Sequence, residues 1–105
     1  MYYPVSSILI EFLILSILDK QDSYGYEISQ TIKLAADIKE STLYPILKKL
    51  EKAGYVTTYQ QEYLGRKRKY YTISLAGRDH IPFLEEEWTN YKRTIDGIIE
   101  GSLRK

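Results

Sequence analysis

The 105-residue sequence contains no cysteine, and it has a single histidine and a single tryptophan. Without cysteine the chain has neither disulfides nor thiolate metal sites, which suits a reducing cytoplasm. His80 has no histidine or carboxylate partner at ligand spacing, so we expect no metal site and no cofactor. Serines and threonines are plentiful, but none lies in a motif with a base. The sequence therefore predicts a protein that is not an enzyme.

The sequence also lacks a hydrophobic run long enough to cross a membrane. Its most apolar stretch, residues 8–18, is interrupted by Glu11 and Ser16 and is shorter than the roughly 20 residues that a spanning helix needs. No basic segment precedes this stretch and no small-residue cleavage site follows it, as a signal peptide would require. We therefore expect one domain's worth of chain, located in the cytoplasm.

The overall net charge is close to zero, but one part of the chain has an excess of positive charge. The formal net charge is +1. Residues 1–38 carry two basic and five acidic side chains, and residues 72–105 carry five basic and six acidic ones. Residues 39–71 carry eight basic side chains and three acidic ones, a net charge of +5. A positive field confined to the middle third of the chain indicates a polyanionic partner.

Residues 39–56 predict one short helix with two different faces. Ser41 and Thr42 are expected to supply a hydroxyl N-cap, and Gly54 lies where a helix end favours a left-handed residue. One face carries a buried stripe at helical spacing, formed by Leu43, Ile46, Leu47 and Leu50. The other face presents hydrogen-bond donors, most of them positive: Thr42, Tyr44, Lys48, Lys49 and Lys52. Such a helix suits a DNA major groove, and taken alone it is equally typical of any cationic surface helix.

The segments around this helix predict a winged helix-turn-helix. Helices are expected over residues 5–19 and over roughly residues 24–35, the second of them capped by Ser23. After the third helix, strands over residues 56–63 and 67–74 flank a turn at Leu64, Gly65 and Arg66. A basic-tipped hairpin that follows a helix-turn-helix is a wing.

A long last helix, capped by Ser74, is expected over roughly residues 75–101. Its apolar residues recur at spacings of three and four and form a seam: Ile81, Leu84, Trp88, Tyr91, Ile95 and Ile98. The helix is about 35–40 Å long, more than so small a domain can cover, so the exposed seam predicts a homodimer. Pro82 is expected to bend the helix or to delay its start. The fold class is therefore mainly α with a small β-hairpin: a winged helix-turn-helix DNA-binding domain over residues 1–74 and a dimerisation helix over residues 75–105.

Three stretches of the sequence together resemble the PadR family of transcriptional regulators. They are residues 24–28 (YGYEI), residues 41–54 (STLYPILKKLEKAG) and residues 65–73 (GRKRKYYTI), and the resemblance runs in register over roughly residues 5–80. The single C-terminal helix is similar to that of the short PadR subfamily, which includes multidrug-responsive repressors. The resemblance implies a winged-helix homodimer that binds a double-stranded DNA operator and represses a nearby promoter.

The resemblance also implies which residues face DNA. They are Ser41, Thr42, Tyr44, Lys48 and Lys49 in the third helix, with Arg66, Lys67, Arg68 and Lys69 in the wing. Two observations on the residues themselves favour the same assignment. The basic run follows a helix-turn-helix inside the +5 segment, which favours DNA contact over a merely solvated hairpin tip. Tyr44 is offset from the apolar stripe and is expected to point outward.

Trp88 has two interpretations. It is either an aromatic residue of the dimer seam or, together with its symmetry mate, a wall of a pocket for a flat apolar ligand. A tryptophan of this helix serves the second role in the multidrug-responsive relatives, and the residues expected to line such a pocket with Trp88 are Leu9, Phe12, Leu84 and Tyr91. A small aromatic or hydrophobic effector would then release the repressor from DNA. The alternative function is a winged-helix protein-interaction module without DNA binding, although the gathered cations favour DNA.

Overall fold

The computed structural model describes residues 6–102, which form four helices and three strands. In chain order they are α1 (Ser7–Lys20), β1 (Ser23–Tyr24), α2 (Gly25–Ile32), α3 (Glu40–Lys52), β2 (Val56–Tyr63), β3 (Arg66–Ile73) and α4 (Leu75–Glu100). The sheet has the strand order β1-β3-β2 and is antiparallel throughout. The predicted class, mainly helical with a small β-hairpin and a long last helix, is confirmed, and β1 adds a third strand to the hairpin.

Helix α1 is the centre of the packing. The amide of Leu9 donates to the Ser6 hydroxyl at 3.3 Å and so caps the helix start. Its buried residues contact α2, α3 and α4, and they belong to one continuous core. The helix predicted over residues 5–19 runs from Ser7 to Lys20, with Ser6 as its N-cap, and Val5 lies outside the described residues. A helix that is apolar nearly all round is buried on several sides, as the sequence indicated.

The second helix is shorter than predicted, because the chain first forms a strand. Ser23 and Tyr24 pair with Tyr71 and Tyr70 of β3, so α2 begins only at Gly25. The predicted cap at Ser23 is wrong: this buried hydroxyl donates to the Glu27 carboxylate at 2.6 Å instead of accepting a helix amide. The helix ends at Ile32 rather than near residue 35, since residues 33–36 turn away with short-range bonds.

Helix α3 has the predicted faces but a different start. Lys39 is its N-cap and makes no side-chain capping bond, so Ser41 and Thr42 lie inside the first turn and the predicted hydroxyl cap is wrong. Its end is as predicted, with Gly54 in the left-handed region at a φ of 81°. The stripe at Leu43, Leu47 and Leu50 is fully buried, whereas Ile46 is half-buried against the same core.

The hairpin of β2 and β3 forms the wing, and its strand bounds differ by one residue from the prediction. The second strand runs from Arg66 to Ile73, so the turn contains only Leu64 and Gly65. Both turn residues have positive φ angles, 50° and 79°, as a tight hairpin turn with right-handed twist requires. Gly65 meets this requirement without strain.

Because directly paired residues share a face, the register divides the wing's side chains into two sets. The inner face carries the pair Val56 and Ile73 and every second pair after it along the hairpin. Val56 and Ile73 are themselves buried against the core. The outer face carries the alternate pairs, such as Tyr59 opposite Tyr70.

Helix α4 starts where the sequence predicted. The amide of Gly77 donates to the Ser74 hydroxyl at 3.0 Å, and a Cβ at Gly77 would collide with the Tyr55 carbonyl, so the close approach requires glycine. The predicted delay at Pro82 is wrong, because the helix already begins at Leu75 and continues through the proline. The first half of α4 packs on α1 and buries Leu84, while the second half extends away from the core.

Candidate nucleic-acid interface

The outer face of α3 presents the predicted donors to solvent. Ser41, Thr42, Tyr44 and Lys48 are all exposed. Tyr44 also packs over the start of α2, where a Cβ on Gly25 would lie only 2.7 Å from the Tyr44 ring. This close approach explains the glycine at the first position of α2. It also fixes the tyrosine at the junction of the two helices of the helix-turn-helix.

A shallow cleft joins α3 to the inner face of the wing. Its lining residues are Tyr44, Lys48, Glu51, Lys69 and Tyr71. The Lys69 ammonium lies 3.9 Å from the Glu51 carboxylate and 5.3 Å from the centre of the Tyr71 ring. The Lys48 ammonium has no such carboxylate partner among the ion pairs of residues 6–102. Helix and wing therefore form one continuous surface rather than two separate basic patches.

The four consecutive cations of the wing do not point the same way. Lys67 and Lys69 lie on the inner face, opposite Glu62 and Gln60, and Arg66 and Arg68 lie on the outer face. Arg66 and Lys67 are exposed at the hairpin tip, whereas Arg68 is half-buried. The run RKRK, which the sequence presents as one basic segment, therefore contributes side chains to two surfaces.

Arg68 is held by aromatic rings. Its guanidinium carbon lies 3.9 Å from the centre of the Tyr24 ring and 4.0 Å from that of Tyr63. These distances are well inside the range of a cation–π contact. Arg68 was predicted to face DNA, and its contacts with Tyr24 and Tyr63 were not predicted, because no local pattern connects these tyrosines to it.

Lys49 makes an ion pair with a buried carboxylate. Its ammonium donates to Glu11 of α1 at 3.2 Å, and Glu11 is only 6% exposed. Because a buried carboxylate needs a partner, the main task of Lys49 inside the chain is to neutralise Glu11. Lys49 therefore has an ion-pair partner within the chain, which its neighbour Lys48 lacks among the ion pairs of residues 6–102, although both lysines were predicted to face DNA.

A carboxylate occupies the first turn of α3. Glu40 accepts from Ser29 at 3.4 Å and lies 3.5 Å from the Lys33 ammonium. The pKa of Glu40 is lowered from its ordinary value, first by a hydrogen bond to its own backbone amide and then by the charge of Lys33. The negative charge at a helix N-terminus also suits the helix dipole. It makes this end of α3 less attractive to a phosphate than the lysine-bearing middle of the helix.

A cavity of about 250 Å³ lies between α1 and α4. All five residues predicted to line a ligand pocket meet there: Leu9, Phe12, Leu84, Trp88 and Tyr91. Ser6, Ile8 and Glu87 also line it and were not among the predicted residues. The Lys92 ammonium lies 5.1 Å from the Trp88 ring centre, on the adjacent turn of α4. The cavity is mostly apolar, with a carboxylate at its edge.

The six residues of the predicted seam have different surroundings. Leu84 is 2% exposed and belongs to the core of the single chain, so it has almost no surface left for a partner. Ile81 and Trp88 are half-buried, whereas Tyr91, Ile95 and Ile98 are exposed. Ile99 is an additional exposed apolar residue of the same half of α4, at 76%.

Other kinds of site find little support over residues 6–102. In this part of the chain no three His, Asp or Glu side chains come together as a metal ion would require. His80 stacks on the Tyr55 ring at 4.2 Å and lies 5.3 Å from Phe83, which is a packing role. None of the helices between Ser6 and Ser102 is both long enough and apolar enough to cross a membrane.

The helix-turn-helix, its basic hairpin and the long last helix define a winged-helix protein with an appended helix. The model of the Transcriptional regulator PadR-like family matches residues 14–82, which is more than half of the chain. The chain therefore belongs to the PadR-like family, as its sequence resemblance indicated. Members of this family are transcriptional regulators rather than enzymes.

Solved structures support the same assignment. The crystal structure of smu.1704 from Streptococcus mutans UA159 is 67% identical, covers 100% of this chain and 99% of its own, and superposes with a TM-score of 0.90. A PadR family transcription regulator from Clostridium difficile R20291 is 33% identical over 86% of this chain and 97% of its own, with a TM-score of 0.76. A transcriptional regulator from Clostridium thermocellum is 39% identical over 85% and 91%, with a TM-score of 0.77.

Proposed function

We propose that this PadR-like regulator binds double-stranded DNA in a sequence-specific manner through α3 and the wing. The observation that carries the proposal is the cleft that Lys48 of α3 and Lys69 of the wing both line. An exposed helix bearing hydroxyls and a lysine fits a major groove. The neighbouring hairpin then supplies cations for the phosphates beside that groove.

Charge and exposure favour DNA over a protein partner. An interaction module without DNA binding has no need for exposed cations on both α3 and the hairpin tip. The core of a protein–protein interface is depleted of lysine, whereas a DNA interface is enriched in it. A cytoplasmic location follows from this proposal, since the operator would be part of the bacterial chromosome.

The regulator would act as a homodimer assembled through α4. The second half of this helix carries four exposed apolar or aromatic residues, Tyr91, Ile95, Ile98 and Ile99. In a monomer these side chains would be in contact with water. A second copy of the same helix is the simplest partner, because soluble oligomers are mostly symmetric pairs. Two α3 helices would then enter successive major grooves, about 34 Å apart or a little more, on a pseudo-palindromic operator. Binding near a promoter would repress it.

The cavity between α1 and α4 would receive a small aromatic or hydrophobic effector. Its apolar lining and the Trp88 ring suit a flat ligand, and its wall on α1 is continuous with the core that positions α3. An effector that binds better to a different α1–α4 arrangement would shift the population away from the DNA-bound form. In this proposal Trp88 serves the cavity, Ile95 and Ile98 serve the dimer, and Tyr91 lines the cavity and also belongs to the exposed dimer set.

Footprinting the protein on the DNA upstream of its own gene tests the function. We expect protection of a pseudo-palindromic site, weakened by added salt and by a planar aromatic effector. A control fragment of equal length and scrambled sequence should show no footprint at the same protein concentration. Equal binding to both fragments would contradict sequence-specific recognition, and no binding to either would favour the interaction-module alternative.

A further inference from the structure

The outer half of the wing has little backbone support from the rest of the fold. Strand β1 pairs only with Tyr70 and Tyr71, next to the core. Beyond them, residues 60–63 and 66–69 pair only with each other. Two-stranded ribbons are marginal on their own and twist strongly. Something besides backbone pairing must therefore hold this ribbon at a fixed angle to α3.

A column of side chains on the outer face supplies such support. Tyr59 stacks on Tyr70 with ring centres 5.5 Å apart, and Tyr70 meets the edge of Tyr24 at 5.6 Å. At the base of the column the Tyr59 hydroxyl donates to Asp22 at 2.7 Å. Arg68 is the outermost member and touches both Tyr24 and Tyr63.

The two partners of Arg68 belong to different parts of the fold. Tyr24 is the N-cap residue of α2 and thus part of the helix-turn-helix. Tyr63 is the last residue of β2, next to the hairpin turn. The guanidinium therefore bridges the tip of the ribbon to the start of α2. Arg66 and Lys67, by contrast, are exposed.

We propose that Arg68 is a positioning residue, which fixes the angle of the wing by bridging Tyr24 and Tyr63, and that Arg66 and Lys67 make the phosphate contacts of the hairpin tip. The proposal deepens the DNA-binding function and rests on it. Its chemistry requires the planar guanidinium, because a lysine ammonium cannot stack on two rings in the same way. A lysine would keep the charge, so the two roles can be separated by experiment.

The test compares Arg68→Lys with the matched variant Arg66→Lys. Binding to the footprinted operator is measured by fluorescence anisotropy at several salt concentrations, and amide hydrogen exchange of residues 60–69 is measured in the free protein. Because the lysine cannot reproduce both cation–π interactions, Arg68→Lys should bind about tenfold more weakly, with an unchanged salt slope and faster exchange. Arg66→Lys should leave the exchange of residues 60–69 at the wild-type rate, because Arg66 is exposed at the hairpin tip and is not part of the bridge to Tyr24.

Neutral and aromatic variants extend the comparison. Arg66→Leu should flatten the salt slope of operator binding by about 0.9 for each phosphate that the arginine neutralises in the wild type, and it should leave the hydrogen exchange unchanged. Arg68→Leu should accelerate the hydrogen exchange and leave the salt slope at its wild-type value. Tyr24→Leu should give the same weaker binding and faster exchange as Arg68→Lys. Tyr24→Phe keeps the aromatic ring and should keep the slow exchange of the wild type.

Two results would overturn the positioning role. One is wild-type exchange in Arg68→Lys, and the other is a salt slope in Arg68→Leu that falls as it does in Arg66→Leu. A wild-type protein that fails to bind the operator would end the DNA-binding proposal instead. The exchange measurement would still decide whether Arg68 holds the wing.

Discussion

Lys48 and Lys49 are adjacent on α3, and replacing each with methionine should have different consequences. Methionine keeps much of the length of the lysine stem and removes the charge. Lys49 donates to Glu11, which is 6% exposed, while Lys48 lies in the cleft with Lys69. We expect Lys49→Met to lower the stability of the fold and Lys48→Met to lower DNA affinity.

The size of the stability loss follows from how the pair is buried. Removing one partner of a fully buried ion pair costs roughly 3–5 kcal/mol. The Lys49 side chain is 65% exposed, so water can reach the Glu11 carboxylate once the ammonium is gone. We therefore expect a loss of about 1–2 kcal/mol, which lowers Tm by roughly 5–10 °C in a domain of this size. Lys48→Met should change stability by less than about 0.5 kcal/mol.

Chemical denaturation and operator binding measured on the same preparations separate the two effects. Lys48→Met should reduce the salt slope of operator binding by about 0.9 per chain, and Lys49→Met should leave it unchanged. The double variant Glu11→Leu with Lys49→Met removes both charges and should recover most of the stability. If Lys49→Met were as stable as the wild type and its salt slope fell as in Lys48→Met, the reasoning would be refuted.

Three further predictions concern α4, the cavity and the start of α3. Ile95→Asp should give monomers by light scattering, while Thr94→Asp on the exposed part of the same turn should stay dimeric; a monomeric wild type would contradict the dimer. Planar aromatic compounds should quench the fluorescence of Trp88, the single tryptophan, and no response across a varied panel would leave Trp88 as a seam residue. Because the folded-state pKa of Glu40 is lowered, its charge stabilises the fold above the unfolded-state pKa, and this contribution is lost as the pH falls through the folded-state value. Glu40→Gln should therefore be less stable than the wild type at neutral pH and equal to it in acid; a difference independent of pH in denaturation curves would argue against this.

Local sequence chemistry predicted the elements that local forces define. Ser74 caps α4 and Gly65 occupies a left-handed turn position because each needs only its immediate neighbours. The end of α3 at Gly54 follows from the same kind of rule. The five residues predicted to line a pocket, Trp88 among them, do line one cavity, and its use by a ligand stays a prediction.

Features that depend on residues far apart in the sequence could not be predicted from local patterns. Strand β1 contains only two residues, and it exists because β3 offers a free edge far along the chain. Ser23 has the composition of a helix cap, but that strand pairing fixes its backbone and turns its hydroxyl to Glu27. The contacts of the Glu40 carboxylate with Lys33 and Ser29 of the preceding segment likewise have no local signal in the sequence.

The roles of individual cations were the hardest to predict. Lys49 and Glu11 are separated by 38 residues, and no pattern in either helix connects them. Arg68 likewise depends on Tyr24, which belongs to a different element. A run of basic residues therefore predicts the sign of a surface correctly, while the tertiary structure decides which charges remain available for a ligand.

The most direct test of DNA binding by α3 and the wing is the salt dependence of operator affinity for the wild type and for the double variant Lys48→Ala with Lys69→Ala. The wild type should bind its upstream operator with an affinity that falls linearly with salt on a double-logarithmic plot. The double variant should lose about 1.8 from that slope per chain while retaining the wild-type helical content. Identical slopes in the two proteins would contradict the assignment of this surface to DNA.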